Sequence, residues 1–313
     1  MNSITDKPVI FLMGPTASGK TDLAIDISNL ISARLISVDS ALIYKGMDIG
    51  TAKPNPNILH KHPHYLVDIL NPDESYSAYE FTNDAKYHIE QSFNKKQTPL
   101  LVGGTSFYFN ALEHGLSQLP ESTKDSRETF NLLLQQKGSV ALHNQLYDID
   151  AIAAKRIHKN DSQRITRALE VHYLTGKTLT ELQGSKITTI NNPIIKIILM
   201  PDRDLLHERI EHRFLKMIDD GFLEEVENLY KNPKLHENLA SIRCVGYRQA
   251  WQYLNGQIDR NSMIEKAIIA TRQLCKRQCT WLKSENDALI IKEIDPHISI
   301  DYIKEKTNKL GLS

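Results

Sequence analysis

Short, unbroken apolar runs recur along this chain and alternate with stretches of helical periodicity. Most of them end directly before Gly, Asp or Pro, and they cover Ile10–Met13, Leu35–Val38, Leu100–Val102, Ile194–Met200 and Ala288–Ile291. Strands that are buried on both faces of a sheet have continuous apolar sequences. Helices usually connect such strands when the strands are parallel. The pattern predicts an α/β fold with a parallel sheet flanked by helices.

One connection in this pattern is much longer than the others. About ninety residues with helical periodicity separate the third run from the fourth, far more than an ordinary crossover needs. We therefore expect an inserted helical subdomain at residues 120–192, and a core domain formed by residues 1–119 and 193–313. After the fourth run, the spacing of apolar residues predicts one long amphipathic helix over Leu205–Leu229, which carries Arg209 and Arg213 one turn apart.

The first apolar run leads into a glycine-rich loop that matches the G-x-x-x-x-G-K-[ST] pattern. The loop is Gly14-Pro15-Thr16-Ala17-Ser18-Gly19-Lys20-Thr21, and a helix-like stretch follows it. In this order of strand, loop and helix, backbone N–H groups surround phosphate oxygens, the lysine neutralises them and the Thr21 hydroxyl ligates Mg²⁺. The sequence thus predicts a P-loop fold that binds a diphosphate group. Nucleotide triphosphates usually occupy such loops, and a diphosphate leaving group would fit equally well.

The ends of the second and third runs carry further candidate chemistry. Asp39 follows the second run directly, and ligands of open α/β sheets bind at the carboxyl ends of the strands. A carboxylate there favours a general base or an outer-sphere Mg²⁺ partner over a helix cap. The third run ends in Gly103-Gly104-Thr105, with no acid where an ATPase carries its Walker B aspartate. Paired glycines indicate close approach of the backbone to a ligand, and the missing acid favours group transfer from a diphosphate.

Composition adds constraints on partners and location. The 313 residues include 38 basic and 38 acidic side chains, so the neutral net charge argues weakly against nucleic acid. Basic side chains nevertheless cluster at 155–167 and 272–283, and the segments Arg243–Arg248 and Lys276–Lys283 mix them with aromatic residues in a way that suits RNA. The three cysteines form no disulfide framework, and no apolar run resembles a signal peptide or a membrane span. We expect a cytoplasmic protein without membrane contact.

Several segments together resemble one family. They are Gly14–Thr21, Ser37–Pro54, Gly103–Thr105, Asn160–Asp161, Gln163–Glu170, Gly176–Thr180, Ser241–Arg248 and Lys276–Leu282. In this order, and over nearly the whole chain, they resemble the bacterial tRNA dimethylallyltransferases. The resemblance implies a prenyltransferase that moves a dimethylallyl group from dimethylallyl diphosphate to N6 of the adenosine at position 37, next to the anticodon. The products would be N6-dimethylallyladenosine and diphosphate, and the target base would leave its stack to reach the crevice.

The resemblance also implies partners and residue roles. Expected partners are the anticodon stem-loop of tRNAs that read codons beginning with U, dimethylallyl diphosphate and Mg²⁺; the sequence leaves the oligomeric state open, and a monomer is the expectation. Asp39, Thr105 and Arg213 would be catalytic, with Asp39 accepting the proton of the adenine amine, and Thr21 would bind the metal. The residues expected to contact tRNA are Asp39, Ser40, Ala41, Leu42, Thr105, Arg127, Gln163, Arg164, Ile165, Thr166, Arg167, Arg243, Cys244, Val245, Gly246, Tyr247, Arg248, Lys276, Arg277, Gln278, Cys279, Thr280, Trp281, Leu282 and Lys283.

Two other functions share some of these features. A P-loop small-molecule kinase also uses an aspartate at a strand end to deprotonate an acceptor, and its activity would depend on ATP. An RNA-binding regulator could keep the loop as a nucleotide switch, but the chain lacks both a Walker B carboxylate and a guanine-reading Asn-Lys-x-Asp motif.

Overall fold

The computed structural model describes residues 7–184, 186–187 and 189–311. In chain order its strands are β1 (Val9–Met13), β2 (Ala33–Val38), β3 (His64–Tyr65), β4 (Thr98–Gly103), β5 (Leu116–Ser117), β6 (Lys186–Ile187), β7 (Ile194–Leu199) and β8 (Ala288–Ile291). Six of them form one sheet in the order β3-β2-β4-β1-β7-β8, and every neighbouring pair is parallel. The predicted parallel sheet flanked by helices is confirmed.

The helices occupy most of the remaining chain. They are α1 (Lys20–Leu30), α2 (Pro56–Lys61), α3 (Ala78–Asn94), α4 (Ser106–His114), α5 (Lys124–Ile149), α6 (Ala151–Arg156), α7 (Ser162–Thr175), α8 (Leu179–Leu182), α9 (Arg203–Asp219), α10 (Phe222–Tyr230), α11 (Tyr247–Leu254), α12 (Arg260–Leu282) and α13 (Pro296–Lys309). None of these helices is both long enough and apolar enough to cross a membrane, as far as the described residues go.

The chain divides into two compact units. One unit runs up to Glu113 and resumes at Ile190, and the other is His114–Thr189. The first contains the six-stranded sheet, whose β1 is buried at every residue because helices cover both faces. Phe81 of α3 and Phe109 of α4 pack on one face, and Leu23 of α1 and Ile300 of α13 pack on the other. The helices α9–α12 form a further apolar cluster of this unit.

The second unit contains helices α5 to α8, which surround a small core of their own. Leu142 and Leu146 of α5, Ala153 of α6 and Ile165 of α7 are all buried in one apolar cluster. Strands β5 and β6 pair antiparallel within this unit. The role of residues 120–192 in gripping tRNA stays a prediction.

The prediction of a single helix over Leu205–Leu229, which rests on the apolar spacing, is wrong. The segment forms α9 and α10, which are separated at Asp220 and Gly221. Gly221 has φ of 98°, a left-handed conformation that ends a right-handed helix and that glycine adopts without steric cost. The apolar period continues across the break because both helices bury one face in the same cluster.

Candidate active site

The carboxyl ends of three neighbouring strands, β2, β4 and β1, meet at a cavity of about 610 Å³. This volume lies in the usual range for small-molecule sites. The lining residues come from β2, from α1, α9, α11 and α12, from the chain segments that follow the three strands, and from the segment before α11. They include Thr16, Lys20, Thr21, Ser37, Asp39, Ser40, Ala41, Leu42, Gly104, Thr105, Phe107, Arg213, Met217, Arg243, Cys244, Val245, Tyr247, Arg277 and Gln278. The structure therefore brings the predicted loop, base and catalytic residues to one cavity.

The phosphate loop connects β1 to α1 as the sequence predicts. The helix begins at Lys20, so its first free N–H groups and the positive end of its dipole face the loop. Lys20 Nζ donates to the carbonyl oxygen of Pro15 at 3.2 Å. Thr16 is held twice, because Arg213 Nη2 lies 2.5 Å from its hydroxyl and its backbone N–H donates to Gln278 Oε1 at 2.9 Å. The loop is thus shaped by contacts from α9 and α12.

Two cations at this cavity have no anionic partner among the described residues. Burial lowers the pKa of Lys20 to about 8 and also lowers the pKa of Arg213, although the charge of Asp39 opposes both shifts. Within the described part of the chain, neither group forms an ion pair with a carboxylate. Buried cations without a partner are costly, and an anionic ligand offsets that cost. The arrangement suits a ligand with several negative charges.

Buried hydroxyl groups give a second indication of a ligand. The Oγ atoms of Ser18 and Ser37 are buried and have no hydrogen-bond partner among the described residues. Ser18 belongs to the phosphate loop, and Ser37 lines the cavity. Buried polar atoms in folded proteins are nearly always satisfied, so an unpartnered hydroxyl in the phosphate loop and another at the cavity indicate groups that a ligand or water would satisfy.

The lowered pKa of Lys20 predicts a pH dependence of anion binding. Above pH 8 Lys20 of the free protein loses its proton. Diphosphate binds to the protonated form of Lys20, so binding then requires the uptake of a proton. We expect the affinity for magnesium pyrophosphate to fall as the pH rises from about 8, by up to about tenfold per pH unit. Titration calorimetry at pH 7.5, 8.5 and 9.5 measures this. The Lys20→Arg variant keeps its charge and serves as the control for the titration of pyrophosphate itself. An equal fall in both proteins would contradict the assignment to Lys20.

Asp39 is held in place by the backbone that follows it. Its Oδ1 accepts hydrogen bonds from the N–H groups of Ala41 at 2.8 Å and Leu42 at 3.3 Å, while the hydroxyl of Thr105 accepts one from the N–H of Ser40 at 3.2 Å. No described residue bonds to Oδ2. One carboxylate oxygen thus fixes the turn, and the other remains available as a proton acceptor.

The paired glycines at the end of β4 line the cavity and also lie close to other parts of the protein, and their approach to a ligand stays a prediction. A side chain at Gly103 would lie 2.0 Å from the carbonyl oxygen of Val38, and one at Gly104 would lie 2.6 Å from Nε2 of Gln278. The absence of side chains at these glycines allows close contacts with β2 and α12. The sequence alone could not identify these two neighbours.

The residues of Arg243–Arg248 and Lys276–Lys283, which are expected to contact tRNA, differ in their exposure. Arg243, Arg248, Lys276, Arg277, Thr280 and Lys283 are exposed, whereas Gly246, Tyr247 and Leu282 are buried. Cys244, Val245, Cys279 and Trp281 are intermediate, as is Gln278, whose amide bonds to Thr16 and Gly104. The exposed cations are therefore the candidates for direct contact with RNA phosphates, and the buried members are suited to holding them in place.

The corresponding residues of the second unit divide in the same way. Arg127, Gln163 and Arg164 are exposed, Thr166 is intermediate, and Ile165 is fully buried. Arg167 is engaged within its own unit, where its guanidinium donates to Ser122 Oγ at 2.8 Å, to Glu170 Oε2 at 2.6 Å and to the Pro120 carbonyl at 2.5 Å. Its role as an RNA contact stays a prediction, and its observed role is structural.

Sequence reasoning missed a carboxylate that anchors one wall of the cavity. Glu225 of α10 accepts hydrogen bonds from three successive backbone N–H groups, those of Asp48, Ile49 and Gly50, at 2.8, 2.7 and 3.2 Å. The hydroxyl of Tyr247 donates to the same carboxylate at 2.5 Å, and burial raises the pKa of that phenol. The three backbone partners lie 175 to 177 positions away along the chain and Tyr247 lies 22 positions away, so no local signal could have pointed to this residue.

Removal of this anchor is expected to loosen the segment that follows Asp39. Glu225→Ala leaves three backbone donors and one phenol without their partner. Hydrogen bonds to a charged group contribute more to the free energy of unfolding than bonds between neutral groups. We expect the free energy of unfolding to fall by about 3 kcal/mol. Urea unfolding of this variant, with the exposed neighbour Glu224→Ala as the control, measures the effect. An equal change in the two variants would show that Glu225 is not an anchor.

Comparisons with known proteins agree with this geometry. The model of the family described as IPP transferase matches residues 42–285. The tRNA dimethylallyltransferase of Ruthia magnifica subsp. Calyptogena magnifica is 64% identical over 298 residues, which cover 95% of this chain and 98% of that protein. The full-length tRNA isopentenylpyrophosphate transferase of Bacillus halodurans has a crystal structure with a TM-score of 0.71, at 30% identity and with 97% and 98% of the two chains covered.

A third relative is a eukaryotic dimethylallyltransferase, captured crystallographically while acting on tRNA. It is 26% identical, with a TM-score of 0.72, and the match covers 88% of this chain and 70% of that one. The family model spans most of the chain and the bacterial relative matches it nearly end to end, so this chain belongs to the IPP transferase family.

Proposed function

We propose that this protein transfers a dimethylallyl group from dimethylallyl diphosphate to N6 of the adenosine at position 37 of tRNA. The observation that carries the proposal is the presence in one cavity of three features: a phosphate loop, the cations Lys20 and Arg213, and the carboxylate of Asp39 at the end of a strand. Such a cavity suits a reaction in which negative charge collects on a leaving diphosphate. The names of the relatives supply the dimethylallyl group and the tRNA.

In this reaction the C–O bond between the dimethylallyl C1 and the diphosphate breaks, and its electron pair stays on the diphosphate. Lys20, Arg213 and the N–H groups of the loop would stabilise that charge. Adenine N6 forms the new bond to C1 and gives up a proton. Asp39, held through Oδ1, would accept that proton on Oδ2. Thr105 orients this segment through its bond to Ser40 and would lie beside the reacting atoms.

The hydroxyl and carboxyl groups at the cavity fit a divalent cation. Mg²⁺ prefers oxygen ligands and is commonly held by one or two protein oxygens together with substrate phosphates. Thr21 would be its ligand, with Asp39 and the orphaned Ser37 hydroxyl at the same cavity. The described residues contain no group of three His, Cys, Asp or Glu that could hold a metal alone, so substrate oxygens would complete the site. When bound, the cation would neutralise charge on the leaving diphosphate.

The adenosine would reach the cavity by leaving the stack of the anticodon loop, because a stacked base cannot approach a diphosphate at the end of a sheet. The exposed cations Arg243, Arg248, Lys276 and Arg277 would bind the RNA backbone near the cavity. In the second unit, Arg127, Gln163 and Arg164 are exposed and would contact RNA as well. We place the reaction in the cytoplasm, with one chain sufficient for it, and in tRNAs that read codons beginning with U.

Direct assay of the transfer tests the proposal. Purified protein is incubated with unmodified tRNA, Mg²⁺ and labelled dimethylallyl diphosphate, and the nucleosides are analysed by mass spectrometry. We expect N6-dimethylallyladenosine, and none from a matched tRNA with guanosine at position 37. Absence of the adduct, together with consumption of ATP in the presence of a small alcohol acceptor, would replace the proposal with the kinase function.

A further inference from the structure

Gln278 of α12 is engaged at both ends of its side-chain amide. Its Oε1 accepts a hydrogen bond from the backbone N–H of Thr16 at 2.9 Å, and its Nε2 donates to the carbonyl oxygen of Gly104 at 2.9 Å. The first partner belongs to the phosphate loop, and the second follows β4, directly before Thr105. A single side chain thus spans two walls of the cavity, which the sequence places 174 and 262 positions away from it.

Gln278 and Gly104 approach each other closely. A Cβ atom at Gly104 would lie 2.6 Å from Gln278 Nε2, so the absence of a side chain there is what lets α12 approach β4. Thr16 is constrained further, since its hydroxyl lies 2.5 Å from Arg213 Nη2. The orientation of the Thr16 amide therefore depends on where α12 holds Gln278.

The same helix carries the exposed cations Lys276 and Arg277, and the exposed Lys283 follows its last residue. Arg277 is the immediate neighbour of Gln278, and both line the cavity. A partner that binds these cations acts on the helix that positions the phosphate loop. Backbone N–H groups of such loops are the donors that surround phosphate oxygens, so their direction affects the affinity for diphosphate.

We propose that Gln278 is a positioning residue that couples RNA binding at α12 to diphosphate binding in the phosphate loop. The proposal deepens the proposed function and rests on it for the identity of the RNA. RNA that immobilises α12 would fix the amide of Gln278, and through it the Thr16 N–H and the Gly104 carbonyl. Linkage requires the effect to be reciprocal, so bound diphosphate would tighten RNA binding by the same factor.

Binding measurements with RNA and magnesium pyrophosphate test the coupling without requiring catalysis. For the wild type, we expect an unmodified anticodon stem-loop at saturation to lower the Kd of magnesium pyrophosphate about tenfold. Gln278→Met keeps the length of the side chain but makes neither hydrogen bond. In this variant we expect RNA to change the Kd of magnesium pyrophosphate by less than about twofold. The Kd for RNA alone should stay within about twofold of the wild type. Gln273→Met, an exposed position on the same helix, is the matched control and should keep the full factor.

The outcomes separate the alternatives. Weaker RNA binding in Gln278→Met with the coupling factor intact would overturn the proposal and make Gln278 an RNA contact, as the family resemblance predicts. A wild type without coupling would overturn it as well. If the variant fails to fold, hydrogen exchange of residues 14–21 in the wild type decides: slower exchange with RNA alone is expected, and unchanged exchange refutes the coupling. A wild type that shows coupling but transfers no dimethylallyl group would refute only the proposed function.

Discussion

Asp39→Ala is expected to lower kcat for dimethylallyl transfer by a factor of about 10²–10⁴, the usual contribution of a general base. The adenine amine must lose a proton as it bonds to C1, and Asp39 is the carboxylate that the fold holds at the carboxyl end of β2 beside the phosphate loop. Single-turnover kinetics with preformed enzyme–tRNA complex measures the chemical step. The Kd for tRNA should change by less than about threefold, because the exposed cations that would bind RNA are untouched.

Asp39→Asn distinguishes loss of the base from loss of local structure. The asparagine oxygen can still accept the hydrogen bonds from Ala41 and Leu42 that Asp39 Oδ1 accepts in the wild type. We expect it to be nearly as inactive as the alanine variant while retaining the wild-type free energy of unfolding. An asparagine variant with close to full activity would show that Asp39 supports the turn and that another group accepts the proton.

Arg213→Gln is expected to lower kcat for the same transfer by about 10²–10³, the range measured when one charge-stabilising donor is removed from a transition state. Burial lowers the pKa of Arg213, which indicates a desolvated cation, and its guanidinium contacts Thr16 in the phosphate loop. A cation in a low-dielectric site interacts more strongly with charge that develops on the leaving diphosphate than one in water does. Steady-state kinetics with varied dimethylallyl diphosphate measures the loss.

Arg209→Gln is the matched control for this prediction. Arg209 lies one turn earlier on α9 and donates to the carbonyl oxygen of Ser18 at 3.3 Å, but it is exposed and does not line the cavity. We expect its loss to reduce kcat less than about tenfold, because solvent screens an exposed charge. Similar losses for the two variants would mean that both arginines act through the shape of the loop, and that Arg213 has no special role in the transition state.

The parts of this protein that the sequence determined are the ones that depend on neighbouring residues. The apolar runs identified five strands. Four of them, β1, β2, β4 and β7, are buried at nearly every residue, and a strand buried on both faces needs an unbroken run of apolar side chains. The phosphate loop was recognisable from eight consecutive residues, since its function depends on its own backbone N–H groups, one lysine and one hydroxyl. Asp39 was found because it follows β2 directly, and Thr105 because it lies two positions after the end of β4.

Tertiary structure decided the contacts that shape the site around those residues. The sheet order β3-β2-β4-β1-β7-β8 places β4 between β1 and β2, which brings Thr105 between the phosphate loop and Asp39. Gly221 separated α9 from α10 where the apolar period continued, and Glu225 and Gln278 found partners 174 to 262 positions away. Local motifs encode their own backbone conformation, whereas the partner of a polar side chain depends on which helices pack together, and that is settled only when the whole chain buries its apolar surface.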